Sequence, residues 1–448
     1  MQGSSSSSCV NPSLAVAPPP PVAGADGPPA RRIVVAHRLP LRASPDQNSP
    51  FGFAFSLDPD ALSLQLSRGL PAPVTDIGTL PASAESKIVP SDELDCYLLE
   101  NFSCLPVHLD GNRHAEFYDG FCKHYLWPLL HYMLPFTPAD VVGRLRFDAA
   151  SYRAFIAANR QFADRVIQVI SPDAGDLVIV HDYHLWALPT FLRRKCPRAG
   201  VGSIRSVPVR NELLRGLLNA DLVGFHTFDY AHQFVSCCSR LLGISNTSLH
   251  GHMGINYHGR TVLVKIFSVG VDMGQLRAAL ASPEAAAKAK EIAEAYRGRV
   301  IMVDVDLLKG VGLKFLALEK MLDAHKDMIR QVVLVQINNP ARSRGRDVDA
   351  VRVETQRIEQ RINRRFGVDG AGGSALIVTI DGPVPMCEKV AYYAAADCCV
   401  VSAVRDGLNR IPYFYTVCRE EAPGARKSGA VILSEFAGCS ASLGGAIA

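Results

Sequence analysis

The chain has no excess of charge of either sign. Over 448 residues, Lys plus Arg number 47 and Asp plus Glu 43, a formal net charge of only +4. That balance argues against nucleic acid or an anionic membrane as the main partner. Long apolar runs are also missing, since no stretch reaches the roughly 18 uninterrupted apolar residues of a spanning helix. No membrane partner is expected. The start, MQGSSSSSCVNPSLAVAPPPPVAGADGPPA, has neither a basic n-region nor an apolar h-region, which argues against a signal peptide. It is Ser-rich and acid-poor like a plastid transit peptide, but it carries no arginine before Arg31, so that reading is secondary. Twelve cysteines are scattered, with adjacent pairs at 237–238 and 398–399 but no C-x-x-C. Neither a zinc-ligand spacing nor a disulfide framework is visible. Reduced, mostly buried thiols in a cytoplasmic protein are expected.

What is present is alternation. Ser, Pro and Gly dominate residues 1–30, too little apolar surface to order a segment, so a disordered tail is expected there. Beyond it, short β-branched runs alternate with helical stretches. RRIVVAH (31–37), DLVIVHD (176–182), ADLVGFH (220–226) and TVLVKIF (261–267) read as strands of a first half. RVIMVDV (299–305), QVVLVQI (331–337), SALIVTI (374–380) and DCCVVSAV (397–404) repeat the pattern in a second. Between them, 147–170 and 282–298 read as helices; the second has Ser282 as N-cap, Pro283 in the first turn and Gly298 as stop. The split near SVGVD (268–272) predicts an α/β protein of two Rossmann-like, doubly wound domains, 31–268 and 269–448. Ligands then bind beyond the carboxyl ends of the strands, in the cleft between the domains.

Several stretches could carry chemistry, each with an ordinary structural alternative. His181, Asp182, Tyr183 and His184 fall at a strand end in VHDYHLWALPTFLRRK. Without a third ligand nearby the histidines read as donors fixing a loop, and no metal site is expected. Tyr118 and Trp127, in EFYDGFCKHYLWPLLHYMLPF, fit a helix with an aromatic core face. Lys309, in VDVDLLKG, sits where a loop enters a helix and could meet a phosphate through charge and backbone amides, or be merely solvated. ARSRGRDV (341–348), with Arg344 at its centre, is a candidate anion clamp or a soluble loop. AVRDGLNRIPYFY (403–415) resembles a phosphate-holding loop, with Asp406, Gly407, Leu408 and Asn409 at its turn.

Taken in order along the chain, these stretches resemble the glycosyltransferase domain of trehalose-phosphate synthases, specifically the plant class II proteins. FYDGFCKHYLWPLLHYMLPF, FADRVIQVI, VHDYHLWALPTFLRR, VPVRNELLRGLLNADLVGFHTFDYAHQFVSCCSRLLG, KGVGLKFLALEKML, AVRDGLN and LSEFAGCSASLGGAI carry the resemblance from about Arg31 onward. It implies a GT-B fold and the reaction of UDP-glucose with glucose 6-phosphate to give trehalose 6-phosphate and UDP, with retention and without a metal or other cofactor. The departing diphosphate must be stabilised by positive charge. By resemblance, Arg38, Tyr118, Trp127, Tyr183 and Arg344 form the glucose 6-phosphate side, with Asp182 orienting sugar hydroxyls. Lys309, Asp406, Gly407, Leu408 and Asn409 form the UDP-glucose side, and Asp182 and Lys309 are the catalytic candidates.

The pattern breaks on the donor side. Asp304 stands where the family has an arginine, and there it would face the diphosphate with like charge. Phe414 replaces a ribose-gripping glutamate, and Arg410 replaces a leucine, which returns some positive charge. Between Gly202 and Pro208 the chain lacks the family's HSPFP turn. The loss of a central strand is expected with it, leaving unpaired backbone groups at about 1–3 kcal/mol each. The family's last helices and its phosphatase-like domain are also absent from the sequence. These breaks imply a weakly active or inactive, regulatory homologue. A working retaining glucosyltransferase and a non-functional truncated gene product are the alternatives. Other synthase subunits, kinases and 14-3-3 proteins are the partners that the resemblance suggests.

Overall fold

The computed structural model describes residues 30–443 apart from 72, 86, 132–146, 172, 174, 196–199, 205–210, 250–251, 306–309, 339–345, 368–374, 383 and 424–427. Residues 1–29 of the expected tail, Lys309 and Arg344 lie outside the described residues.

Apolar runs without polar alternation suit strands covered on both faces, and here they build two sheets. The first draws on β1 (Arg32–Arg38), with the hairpin β2 (Leu41–Pro45) and β3 (Phe53–Leu57) set apart, then β4 (Val74–Thr79), β5 (Cys104–Pro106) and β6 (Leu177–His181). It continues through β7 (Gly200–Ile204), β8 (Leu222–Phe225), β9 (Asn246–Leu249), β10 (His252–Tyr257) and β11 (Arg260–Ile266). Its order is β5-β4-β1-β6-β7-β8-β11-β10-β9, parallel except where β10 pairs with its neighbours. The second sheet is parallel throughout: β12 (Val300–Asp304), β13 (Val332–Asn338), β14 (Ile377–Asp381), β15 (Cys398–Val401) and β16 (Ala430–Leu433), in the order β14-β13-β12-β15-β16.

Helices cover the sheets for reasons legible in their residues. Asp148 caps the helix Ala149–Val169 by accepting from the Ala150 and Ser151 amides. Phe155, Ala158, Phe162 and Val166, spaced three or four apart, bury completely on its inner face. The helix Pro283–Ala295 starts as expected, with Ser282 accepting from the Ala285 amide at 3.2 Å and Pro283 in its first turn. It ends at Tyr296, two residues before Gly298 turns to positive φ.

Two expectations need correction. The central strand is not lost: β7 pairs in parallel with β6 (Leu177↔Gly200 to His181↔Ile204) and with β8 (Gly202↔Leu222 to Ile204↔Gly224). The run GVGSI is long enough to fill the slot, so neither neighbour carries an unpaired edge. The remainder of the stretch expected to be shortened, residues 205–208, lies outside the described ones.

Nor does Asp304 face the cleft as a bare charge. It is 2% exposed, accepts from the Val305 amide at 2.7 Å and is ion-paired with Lys314, which also donates to Gln336 Oε1. Lys314 comes from the first turn of the helix Val311–Ala324, within a stretch that was read only for its start. The family's positive charge is missing at this position, but the expected repulsion is cancelled inside the domain.

A buried charge stripped of its partner costs far more than the pair contributes. Lys314→Ala should therefore destabilise the protein by about 3–5 kcal/mol in urea melts, and Asp304→Leu combined with Lys314→Met should recover most of the loss.

Candidate functional site between the two sheets

Parallel strands bring their carboxyl ends to one rim, and the chemistry-bearing residues gather there. At the exit of β1, the register with β4 shifts between Val35 and Arg38. This irregularity re-aims the strand end. It depends on Gly78, because a Cβ there would stand 2.5 Å from the Leu39 amide and 2.6 Å from the Arg38 carbonyl carbon. Arg38 lies 5.3 Å from the Tyr118 ring centre and 4.0 Å from Glu85, and its buried Nε has no hydrogen-bond partner among the described residues.

Tyr118 does not belong to an ordinary helix, and Trp127 opens the α-helical turn that follows it. Glu116–Leu126 is wound as a π-helix, between the α-helical turns Gly111–Ala115 and Trp127–His131. Its wider turn aligns residues four and five apart, so Tyr118, Lys123 and Trp127 face the same way. Lys123 Nζ lies 5.1 Å from the Tyr118 ring, 5.8 Å from Trp127 and 5.7 Å from Tyr183. Those contacts hold a cation through the rings' quadrupoles. Sequence reasoning passed over Lys123 because it assumed α-helical spacing. Behind Tyr118, His37 stacks at 4.2 Å, His184 at 5.5 Å and His114 at 5.6 Å. Burial first, then His184, Arg38, His114 and Lys123, drives the pKa of His37 well below its ordinary value. Burial and then Arg38 lower His114 to about 4. Both rings are neutral at physiological pH.

Asp182 follows β6 with φ 73° and ψ 167°, a region almost reserved for glycine. Its Oδ1 accepts from the Tyr183 amide at 2.9 Å, and its Oδ2 lies 3.6 Å from His184 Nδ1. Buried Asn159 fixes the loop from beneath by donating to the His184 carbonyl at 3.1 Å. Strain of this kind persists only where surroundings impose it, which marks Asp182 as more than a turn residue.

Across the cleft, the loop 405–409 is ordered by its own side chains. Asp406 accepts from the Gly407 amide at 2.9 Å and from Asn409 Nδ2 at 3.1 Å, while Asn409 Oδ1 accepts from the Ile411 amide at 2.9 Å. Both residues are buried. The Asp406 and Asn409 side chains thus hold the loop in shape, while Asp406, Gly407 and Leu408 line the cavity. Tyr230 of the first half donates to the Asp406 carbonyl at 2.7 Å, and Arg405 donates to Gln233 at 3.0 Å. Arg410 reaches across to the first half. It donates to Gln65 Oε1 at 2.8 Å and lies over the Phe414 ring at 5.4 Å.

A cavity of about 630 Å³ opens between these halves. Trp127, Asp182 and Tyr183 line it on one side and Asp406, Gly407 and Leu408 on the other, with Lys123 in its wall. Trp186 also lines it; its fully buried indole N–H has no hydrogen-bond partner among the described residues. Arg38 and Tyr118 do not line it: Tyr118 meets the wall through Lys123, 5.1 Å from its ring, and Arg38 lies 5.3 Å from the same ring.

Replacing Asp182 separates backbone strain from side-chain function. Asp182→Gly removes the steric penalty, whereas Asp182→Ala keeps it and loses the carboxylate bond. Urea unfolding should show the glycine variant more stable than the alanine variant by about 1–2 kcal/mol.

Comparisons with known proteins show the family and the fold. The model of glycosyltransferase family 20 matches residues 30–448. A probable α,α-trehalose-phosphate synthase [UDP-forming] 11 of Arabidopsis thaliana is 46% identical over 444 residues, covering 93% of this chain and 50% of that protein. This chain thus spans about half the length of the curated plant relatives that it matches. The N-terminal domain of a Candida albicans trehalose-6-phosphate phosphatase superposes with a TM-score of 0.75 at 23% identity, covering 95% of this chain and 86% of that one. A Burkholderia xenovorans trehalose-phosphate synthase in complex with glucose-6-phosphate gives 0.74 at 22% identity, covering 93% and 88%. The fold is GT-B, and the chain belongs to glycosyltransferase family 20.

Proposed function

We propose that this chain is a trehalose-phosphate synthase homologue whose cleft binds a hexose phosphate but transfers glucose weakly or not at all, acting as a regulatory protein of trehalose metabolism. The family reaction would join UDP-glucose to glucose 6-phosphate, releasing UDP. The observation that carries the reading is an asymmetry of the cleft. The first half gathers Arg38, Lys123, Tyr118, Trp127, Asp182 and Tyr183 around one face. The second brings Arg405, Asp406, Gly407 and Leu408 to the cavity, and its cations Arg405 and Arg410 donate to Gln233 and Gln65 of the first half.

On this reading the guanidinium of Arg38 and the ammonium of Lys123 attract the phosphate, the aromatic rings wall the sugar, and Asp182 accepts from its hydroxyls. The departing diphosphate lacks the cation that Asp304 has replaced, so the charge that develops as the bond to the anomeric carbon breaks is stabilised less, with Lys309 left to supply it. The Burkholderia protein's glucose-6-phosphate complex and the UDP-forming name of the plant relative support this choice of ligands. So does the Candida protein, in which the same fold is one domain of a protein named for a phosphatase. A working synthase is favoured by one observation only: the loop 405–409 is ordered and presents Gly407 and Leu408 to the cavity.

Two measurements test the reading. Coupled detection of UDP should show no turnover above a control without glucose 6-phosphate; acceptor-dependent turnover would establish the working synthase. Glucose 6-phosphate should raise the melting temperature, as any ligand of the native state does. Arg38→Ala should weaken its binding at least tenfold, the loss of a charged hydrogen bond being about 1.5–3 kcal/mol. A melt indifferent to glucose 6-phosphate would overturn the binding claim.

A further inference from the structure

We propose that Glu85 is the positioning residue that sets how strongly Arg38 can hold a phosphate: ionised, it competes with the phosphate for Arg38, and protonated, it leaves the guanidinium to the ligand. The inference deepens the reading of this face as a hexose phosphate site and rests on it.

The geometry comes first. Glu85 stands in the turn after β4, beside the exit of β1, where Arg38 pairs with Thr79. Its neighbour Ala84 is fully buried in a small core and receives amide bonds from Lys87 and Ile88, so the turn is anchored. The Glu85 side chain is 15% exposed, and its ion pairs are long ones, with Arg38 at 4.0 Å and His114 at 3.5 Å. Among the described residues, buried Glu85 Oε1 and Arg38 Nε have no hydrogen-bond partner. A carboxylate and a guanidinium this close would form short paired bonds if each existed only for the other. Held 4.0 Å apart, they do not saturate each other, and the Arg38 side chain remains 31% exposed to an incoming anion.

The charges facing Glu85 come from every side. Arg38 ends β1, His114 belongs to the turn Gly111–Ala115, and Asp119 lies on the π-helix. His37, at 3.0 Å from His114 through their Nε2 atoms, closes the cluster behind. Both histidines are neutral for the reasons given above, so they cannot compensate the carboxylate. Burial raises Glu85 to about 7, Arg38 opposing the rise and Asp119 adding to it. The residue therefore changes charge in the physiological range. The signs follow directly. Above about pH 7, Glu85 is an anion beside Arg38 and opposes a second anion. Below it, the neutral acid withdraws that opposition and can donate a hydrogen bond to a phosphate oxygen.

The test is calorimetric titration of glucose 6-phosphate into the full chain and its Glu85→Gln variant at pH 6 and pH 8, with glucose as the control lacking phosphate. The phosphate's own second ionisation, near 6, makes the ligand a stronger anion at pH 8. Glu85→Gln should therefore bind more tightly as pH rises, while the unaltered protein should not. The two should agree within twofold at pH 6 and differ about tenfold at pH 8, in favour of the variant. Glucose should show no such split. In ligand-free melts, the variant should gain over the unaltered protein as pH rises from 6 to 8, because a carboxyl with a raised folded-state pKa loses native stability through that window. A Glu85→Ala variant with the same split would show that charge, rather than the side chain's shape, is responsible. Equal affinities at both pH values in all three proteins overturn the role of Glu85 and leave the hexose phosphate reading intact. Glucose 6-phosphate bound by none of them, at either pH, overturns the reading itself.

Discussion

A parallel sheet imposes one constraint on everything it carries: all strands deliver their carboxyl ends to the same rim. In this chain β1 ends at His37 and Arg38, β6 at His181 and Asp182, β12 at Asp304, and β15 runs on into the loop containing Asp406. Residues far apart in sequence therefore meet without any local motif joining them. Tyr230 reaching the Asp406 carbonyl, and Arg410 reaching Gln65, tie the two rims across the cleft. The cavity is the space that these ties leave.

The two rims have diverged in their polarity. On the first, two cations lie against aromatic faces, Arg38 over Tyr118 and Lys123 among three rings. Aromatic faces attract such groups through their quadrupoles. On the second rim, the polar side chains among the described residues bind the protein itself. Asp406 and Asn409 bind their own loop, and Asp304 binds Lys314. The first arrangement concentrates positive charge beside rings; the second fixes the shape of a loop and a strand end.

The fold was largely open to reading because its signal is local. Each of the eight expected strands is present, and uninterrupted β-branched runs such as VVLVQI can hardly do otherwise inside a covered sheet. The strands that escaped, β4, β5, β7 and β16 among them, are short or mixed in composition: VTDIGT, CLP, GVGSI and AVIL. Their strand character comes from neighbours already in place, which no window of sequence contains. The site was legible in its members and not in their directions. Asp182, Tyr183, Gly407 and Leu408 do line the cavity. The ion pair that neutralises Asp304 is a tertiary contact across ten positions, and the aim of Arg410 at Gln65 spans 345. Lys123 was hidden by a different cause, the assumption of a 3.6-residue turn.

That winding has a consequence of its own. A π-helical segment differs from an α-helical one by extra residues per turn, so its register is a matter of chain length rather than residue type. Loss of a single residue from Glu116–Leu126 would let the segment relax to the commoner winding and swing all that follows by about 100°. Trp127 would leave its present neighbours with every side chain in the segment still chemically intact. A one-codon deletion here would thus blind the pocket more thoroughly than most substitutions within it.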